Sequence, residues 1–145
     1  MFKINVTASN SRINMNTVKR TEKGWAGHLI VSNQCLFRRH TLLEYGTIAI
    51  SVSTAGNWMP GIEGLREIME IGAYRYFETM VFHSLPVTEE NKWKDADVSK
   101  PINFSSPWYI REPWKEQEAN DMHETVVNEI TGRLLAGDQF IITEE

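Results

Sequence analysis

Glu78 is the residue whose chemistry most needs explaining, a carboxylate set between Phe77 and Thr79 in a run of aromatic and β-branched side chains. A carboxylate removed from water is costly, so it must be paired, protonated or turned to solvent. His123 is the natural counterpart. It falls four residues after Ala119 and four before Val127, at the flank of an apolar helical stripe, where an imidazole needs a hydrogen-bond partner. If that helix packs on the Glu78 strand, the carboxylate would orient His123 as a general base, with Tyr76 or Arg111 alongside. Read structurally, the same contact is a strand-to-helix hydrogen bond that fixes packing. The structural reading is preferred, because no nucleophile or oxyanion donor accompanies the pair. Glu78 and His123 therefore stand as weak catalytic candidates, and no catalytic role is assigned.

Other chemistry is thinner. His28, His40, His83 and His123 show no HExxH-type spacing, and a single Cys35 cannot build a cysteine zinc site, so no metal is expected. Neither a glycine-rich phosphate loop nor a Gly-x-Ser-x-Gly elbow occurs, and no cofactor is expected. Cys35 precedes Leu36-Phe37-Arg38-Arg39-His40. Those cations would favour a thiolate, but burial beside Leu and Phe is the preferred reading. Of five tryptophans, Trp93, Trp108 and Trp114 lie in or beside polar segments. Large rigid rings in such places anchor interfaces or cap the core beneath loops, and these three are the candidate binding residues.

The chain must position these groups within one domain, since 145 residues (1–145) is an ordinary single-domain length. Phe2, Ile4 and Val6 alternate as in a strand, and Trp25 to Val31 reads as a second, ended by Ser32-Asn33-Gln34. A third strand is expected from near Gly46 to Val52, ending by Thr54, and a central one over Arg75 to His83. Residues 62–71 fit helix or strand, and 85–100 read as a polar surface loop. Ile102 to Ile110 suits an edge strand because of Pro107. Glu112-Pro113 opens a helix over about 115–135, with Ala119, Met122, Val126, Ile130 and Leu134 as its stripe. Gly137 stops it, and Asp138 to Thr143 can return as a short strand. The expected fold is α+β, a mainly antiparallel sheet with one long C-terminal amphipathic helix packed on one face.

Hydrophobic residues make up 41% and charged residues 23%, a globular composition. No apolar run approaches the length that crosses a membrane, and MFKINVTASN lacks the apolar region of a signal peptide. With one cysteine, these features point to a cytoplasmic protein. The net charge of −4 splits into +5 over residues 1–60 and −9 over 61–145, a dipolar surface unless the halves interleave. Its acidic balance argues against a dedicated nucleic-acid binder.

Glu78-Thr79-Met80-Val81-Phe82, followed by Glu118-Ala119-x-x-x-His123 and Val126-Val127, resembles a family of small uncharacterised proteins from phage and prophage genomes and their bacterial relatives. There an ETMVF strand precedes an EAxxxH helix. Val52-Ser53-Thr54, ahead of a variable loop, is also similar, and the resemblance spans residues 48–130. After Thr54 the family carries an Asp-His pair, where this chain has Ala55-Gly56-Asn57-Trp58. The resemblance implies a phage-type setting (hence the host cytoplasm) and a compact α+β fold, and it implies no activity. Two functions follow as expectations. The first is an accessory protein acting by binding a protein partner, with modulation of a host process or defence system as one form by analogy of setting; a homo-oligomer is compatible with it. The alternative is a small enzyme or ligand-binding domain using Glu78 and His123 in a concave pocket.

Overall fold

A computed structural model of the chain describes residues 17–24, 28, 32–61, 67–86, 88–89 and 95–141. Among the described residues six strands, β1 (Lys19–Glu22), β2 (Cys35–Tyr45), β3 (Ile48–Trp58), β4 (Phe77–Ser84), β5 (Ala96–Pro101) and β6 (Tyr109–Ile110), precede one α-helix, α1 (Glu116–Leu135), and a 3-10 turn over Ser32–Gln34 leads into β2. The sheet runs β1-β2-β3-β4-β5, with β6 also on β4, and every pairing is antiparallel. α1 packs on one face, as the sequence periodicity implies. Among the described residues no helix is long and apolar enough to cross a membrane.

β2 and β3 form one long hairpin. Tyr45 pairs with Ile48, which leaves Gly46 and Thr47 as a two-residue loop. Gly46 has φ of 61°, as a type II′ turn requires at its first position. Gly46 is therefore the turn and not the start of a strand, and residues 41–45 close β2. The consecutive Arg38, Arg39 and His40 hide this strand from a hydrophobic pattern. β3 also continues past Thr54, where a loop was expected, because Ala55, Gly56 and Asn57 are buried in the sheet. At Gly56 a Cβ would lie 2.2 Å from the Phe77 ring and 2.6 Å from the Tyr76 carbonyl oxygen. Only glycine lets the two strands approach so closely.

Three more expectations are corrected. The end of the 85–100 segment is not loop, since Ala96 onward forms β5 along β4. Only Tyr109 and Ile110 pair in the 102–110 segment; the Ser105 and Ser106 N–H groups go to the Glu129 carboxylate of α1 instead of a neighbouring strand. Residues 138–141 are a tight turn, in which Phe140 N–H donates to Asp138 Oδ1 and Phe140 takes φ of 53°. That φ prevents extension. The strands expected at Phe2–Val6 and, except for His28, at Trp25–Val31 lie outside the described residues, as does 62–66; in 67–71 Met69 makes an isolated bridge to Trp58.

Alternation along the strands sorts side chains between the faces. Leu43, Ile50, Val52 and Val81 meet Val126, Val127, Ile130 and Leu134 of α1, with Phe140 folded beneath. A second apolar group, Phe77 with Ala119 and Met122, lies toward the helix start. Glu116 and Glu118 in the first turn favour the positive end of the helix dipole. At the other end Gly137, with φ of 92°, and Asp138 return their N–H groups to Leu134 and Arg133 carbonyls. Ile130→Ala, in this seam, should lower stability by about 2–5 kcal/mol in denaturant unfolding. The exposed Leu135→Ala should change it by less than about 0.5 kcal/mol; equal effects would mean that the stripe is not the core face.

Candidate functional site

Glu78 and His123 do not meet. Thr54 and Thr79 pair across β3 and β4 and face α1. Glu78, one residue earlier on β4, points to the opposite face. Each candidate has its own network, and neither Tyr76, which packs beside Phe77, nor Arg111, which lies against Tyr109, joins them.

His123 is fully buried between two threonines. Its Nε2 lies 2.7 Å from Thr41 Oγ1 and its Nδ1 2.7 Å from Thr54 Oγ1, which in turn lies 2.7 Å from Thr79 Oγ1. Thr41 donates its hydroxyl proton to the Glu22 carboxylate, 3.0 Å from each oxygen. It can therefore only accept from His123, which places the imidazole proton on Nε2. Nδ1 accepts from Thr54, and Thr54 accepts from Thr79. The chain of donors runs one way, from the core to an exposed carboxylate. Burial first, and then the Arg39 charge, pushes the His123 pKa down to about 3.

Above this chain sits a cluster of ions. Arg20 donates to Glu124 through both terminal nitrogens, at 2.9 and 2.6 Å. Arg39 bonds Glu124 at 2.7 Å, Asn120 at 2.9 Å and Glu22. Hydrogen bonds from Arg20 hold the Glu124 carboxyl near 2. Burial raises that of Glu22, but Arg39, Arg20 and Thr41 outweigh it and leave it below its usual range.

The opposite face carries a second relay. His28 Nε2 lies 3.0 Å from Glu78 Oε2, and His28 Nδ1 lies 2.7 Å from Ser53 Oγ. Arg75 Nε donates to the other Glu78 oxygen at 3.2 Å. Burial raises the Glu78 carboxyl pKa, but His28 and Arg75 prevail and lower it. The carboxylate accepts from Nε2–H, and Nδ1 faces the Ser53 hydroxyl. Hydroxyl, imidazole and carboxylate in this order have the connectivity of an activated nucleophile. Ser53, however, is 0% exposed. His28 and Ser53 lie 25 residues apart on different segments, and no spacing in the sequence signals them. Beside this relay, His40 Nε2 bonds Ser51 Oγ at 2.8 Å, and Ser51 bonds Ser84 at 2.8 Å. Burial pushes His40 down to about 4. Cys35 is buried too, which raises its thiol to about 11 and keeps it protonated.

Two of the three tryptophan candidates fall at one end of the sheet; Trp93 lies outside the described residues. Arg75 stacks over the Trp108 ring at 5.1 Å, Trp108 meets Tyr109 edge-on at 4.9 Å, and Arg111 lies over Tyr109 at 5.4 Å. Beside this ladder Tyr74 is 73% exposed and Trp114 58%, both at positive φ. Asn57 joins Trp114 to the sheet: its Oδ1 accepts the Trp114 N–H at 3.0 Å, and its Nδ2 donates to Glu116. Among the described residues no group of three or more His, Cys, Asp or Glu could hold a metal ion. Comparison with family models, with curated proteins and with solved structures finds no match to this chain.

The two depressed histidines set an acid limit to stability. Unfolded, each takes a proton near pH 6.5; folded, neither does until about 4 for His40 and about 3 for His123. Stability is therefore complete above about pH 6.5 and falls as pH drops, by roughly 1 kcal/mol per histidine per pH unit. Between about pH 6 and pH 5 carboxylates stay largely ionised in both states, so the slope of stability there isolates the imidazoles. His123→Gln, which keeps one donor and one acceptor, should remove about half of that slope in denaturant melts. An unchanged slope would mean that His123 is not buried neutral.

Proposed function

We propose that the chain is an accessory protein-binding module of the phage type that its ETMVF and EAxxxH segments resemble. Its docking surface is the Arg75–Trp108–Tyr109–Arg111 ladder. Alternating guanidinium and aromatic groups at a sheet edge are the composition of interface hot spots. Two neighbouring features support the reading. Tyr74 and Trp114 project at positive φ, a backbone cost that bulky residues rarely bear and that clusters at functional sites. A groove of about 270 Å³ adjoins the ladder, lined by Met80, Pro101, Ile102, Asn103, Phe104 and Trp108. An apolar side chain of the partner fits the groove, and an acidic flank fits the exposed Arg111, which among the described residues lies over the Tyr109 ring and bonds its hydroxyl at 3.4 Å. Modulation of a host process or defence system is the role that the phage-type setting suggests.

The test uses wild-type bait, Trp108→Ala, Arg111→Glu and a control, Leu36→Ala, against host lysate with mass spectrometry. One protein should be captured by wild type and control, and its affinity should fall about 30-fold or more in both ladder variants. Equal capture by all four baits would sink the surface.

The Ser53–His28–Glu78 relay favours a second reading, a small acyl-transferring enzyme. Burial of Ser53 stands against it. A fluorophosphonate probe should leave native protein unlabelled. Stoichiometric labelling at Ser53, suppressed by Glu78→Gln, would replace the binding reading with the enzymatic one.

A further inference from the structure

His83 lies near the end of β4, toward the C-terminal end of α1, and two cavities share it. One, of about 360 Å³, is bounded by Asn103, Arg133, Asp138 and Phe140. The other, of about 490 Å³, is bounded on its apolar side by Ile48, Leu85 and Pro86. His83 Nε2 is buried and has no hydrogen-bond partner among the described residues, although buried side-chain nitrogens are nearly always bonded. Opposite it, Arg133 is fixed from three sides. Its Nε donates to Asp138 Oδ2 at 2.9 Å, its Nη1 to the Asn103 carbonyl at 2.8 Å, and its guanidinium lies 4.5 Å from the Phe140 ring centroid. Those contacts use Nε and Nη1 and leave Nη2 as the nitrogen of the fork that a ligand can take.

Two nearby acids, Asp138 and Asp97, are already engaged. Asp138 accepts from Arg133 with one oxygen and from the Phe140 N–H with the other, at 2.7 Å. Asp97 accepts from the Ser99 N–H and hydroxyl and pairs with Lys100. Phe140, at φ of 53°, holds the turn that presents Asp138 to Arg133, and strained backbone of this kind is found at ligand clamps. Among the described residues His83 Nε2 is the buried cleft nitrogen without a partner, and it faces the Arg133 guanidinium; Asp95, whose carbonyl accepts the Leu85 N–H, also leaves one buried carboxylate oxygen, Oδ1, without a partner. A fixed guanidinium fork suits an oxyanion, a carboxylate or a phosphate.

We infer that this cleft is a binding site for a small oxyanion held by Arg133 Nη2 and His83, with room for a short apolar body along Ile48, Leu85 and Pro86. The site is independent of the docking surface proposed above. It is tested by titrating the folded protein with inorganic phosphate, acetate and butyrate while following the histidine ring signals by NMR. His28, His40 and His123, buried elsewhere, serve as internal references. Saturable shifts confined to His83 are expected. Butyrate should bind up to about tenfold tighter than acetate if its two extra methylenes are buried, whereas a preference for phosphate would point to a headgroup without an apolar body. His83→Phe should abolish the binding, as read by calorimetry. Arg133→Lys, which keeps the charge but loses the fork, should weaken it about tenfold. Absence of any saturable shift at tens of millimolar overturns the site. So does affinity that survives unchanged in Arg133→Lys, a readout that holds even if His83→Phe fails to fold.

Discussion

Residues Ile50 to Asn57 of β3 are all buried, and four of them (Ser51, Ser53, Thr54 and Asn57) carry polar side chains. A buried hydroxyl or amide left without a partner costs about 1–3 kcal/mol, so the centre of this sheet is tolerable only if other elements bring hydrogen bonds to it. They do so on both faces. Thr54 is met by His123 from α1 and Thr79 from β4, Ser53 by His28, and Ser51 by His40 and Ser84. Asn57 reaches the backbone ahead of α1 and Glu116. The placement of α1, the burial of three histidines and the display of Trp114 follow from supplying that strand.

Seen this way, α1 docks through two kinds of contact with different jobs. Its apolar residues provide most of the stabilisation through burial, in one group around Val126, Ile130 and Leu134 and another around Ala119 and Met122. His123 sits between the groups and can be satisfied in only one register, since a slide along the sheet would strand both ring nitrogens. The Arg20–Glu22–Arg39–Glu124 cluster above it is half exposed. Such pairs add little stability individually. Their consequence is orientational, because Glu22 fixes the direction in which Thr41 points its proton and hence the tautomer of His123.

The link from β3 to the surface is equally concrete. Asn57 takes φ of 53°, a conformation asparagine tolerates better than most residues, and this turns its amide toward the start of α1. The amide holds the Trp114 N–H, so an exposed ring on strained backbone is anchored by a buried strand. Gly56, one residue earlier, leaves the space that Phe77 fills. The Ala-Gly-Asn-Trp stretch thus belongs to the sheet and carries the aromatic end of the molecule.

Much was legible in the residues themselves. Three- and four-residue spacing from Ala119 to Leu134 marked the helix, because burial against a sheet demands that period. Phe77 to Phe82 marked a central strand, because a strand covered on both faces is apolar or neutral on both. The requirement that Glu78 and His123 each find a partner was equally plain, since desolvation imposes it wherever they lie. Which partners they find was not. One strand position separates Thr79 from Glu78, and strand alternation sends them to opposite faces, so Glu78 meets His28 and Arg75 while His123 meets Thr41 and Thr54. Those partners lie 50 and 3, and 82 and 69, residues away. Such pairings depend on strand order and register, which bring together residues that share no spacing along the chain. The length of β2 and the course of β3 past Thr54 were likewise decided by tertiary structure, where hydrogen bonds from neighbouring elements let Arg39, His40, Ser53 and Asn57 occupy a sheet that local pattern alone would reserve for apolar side chains.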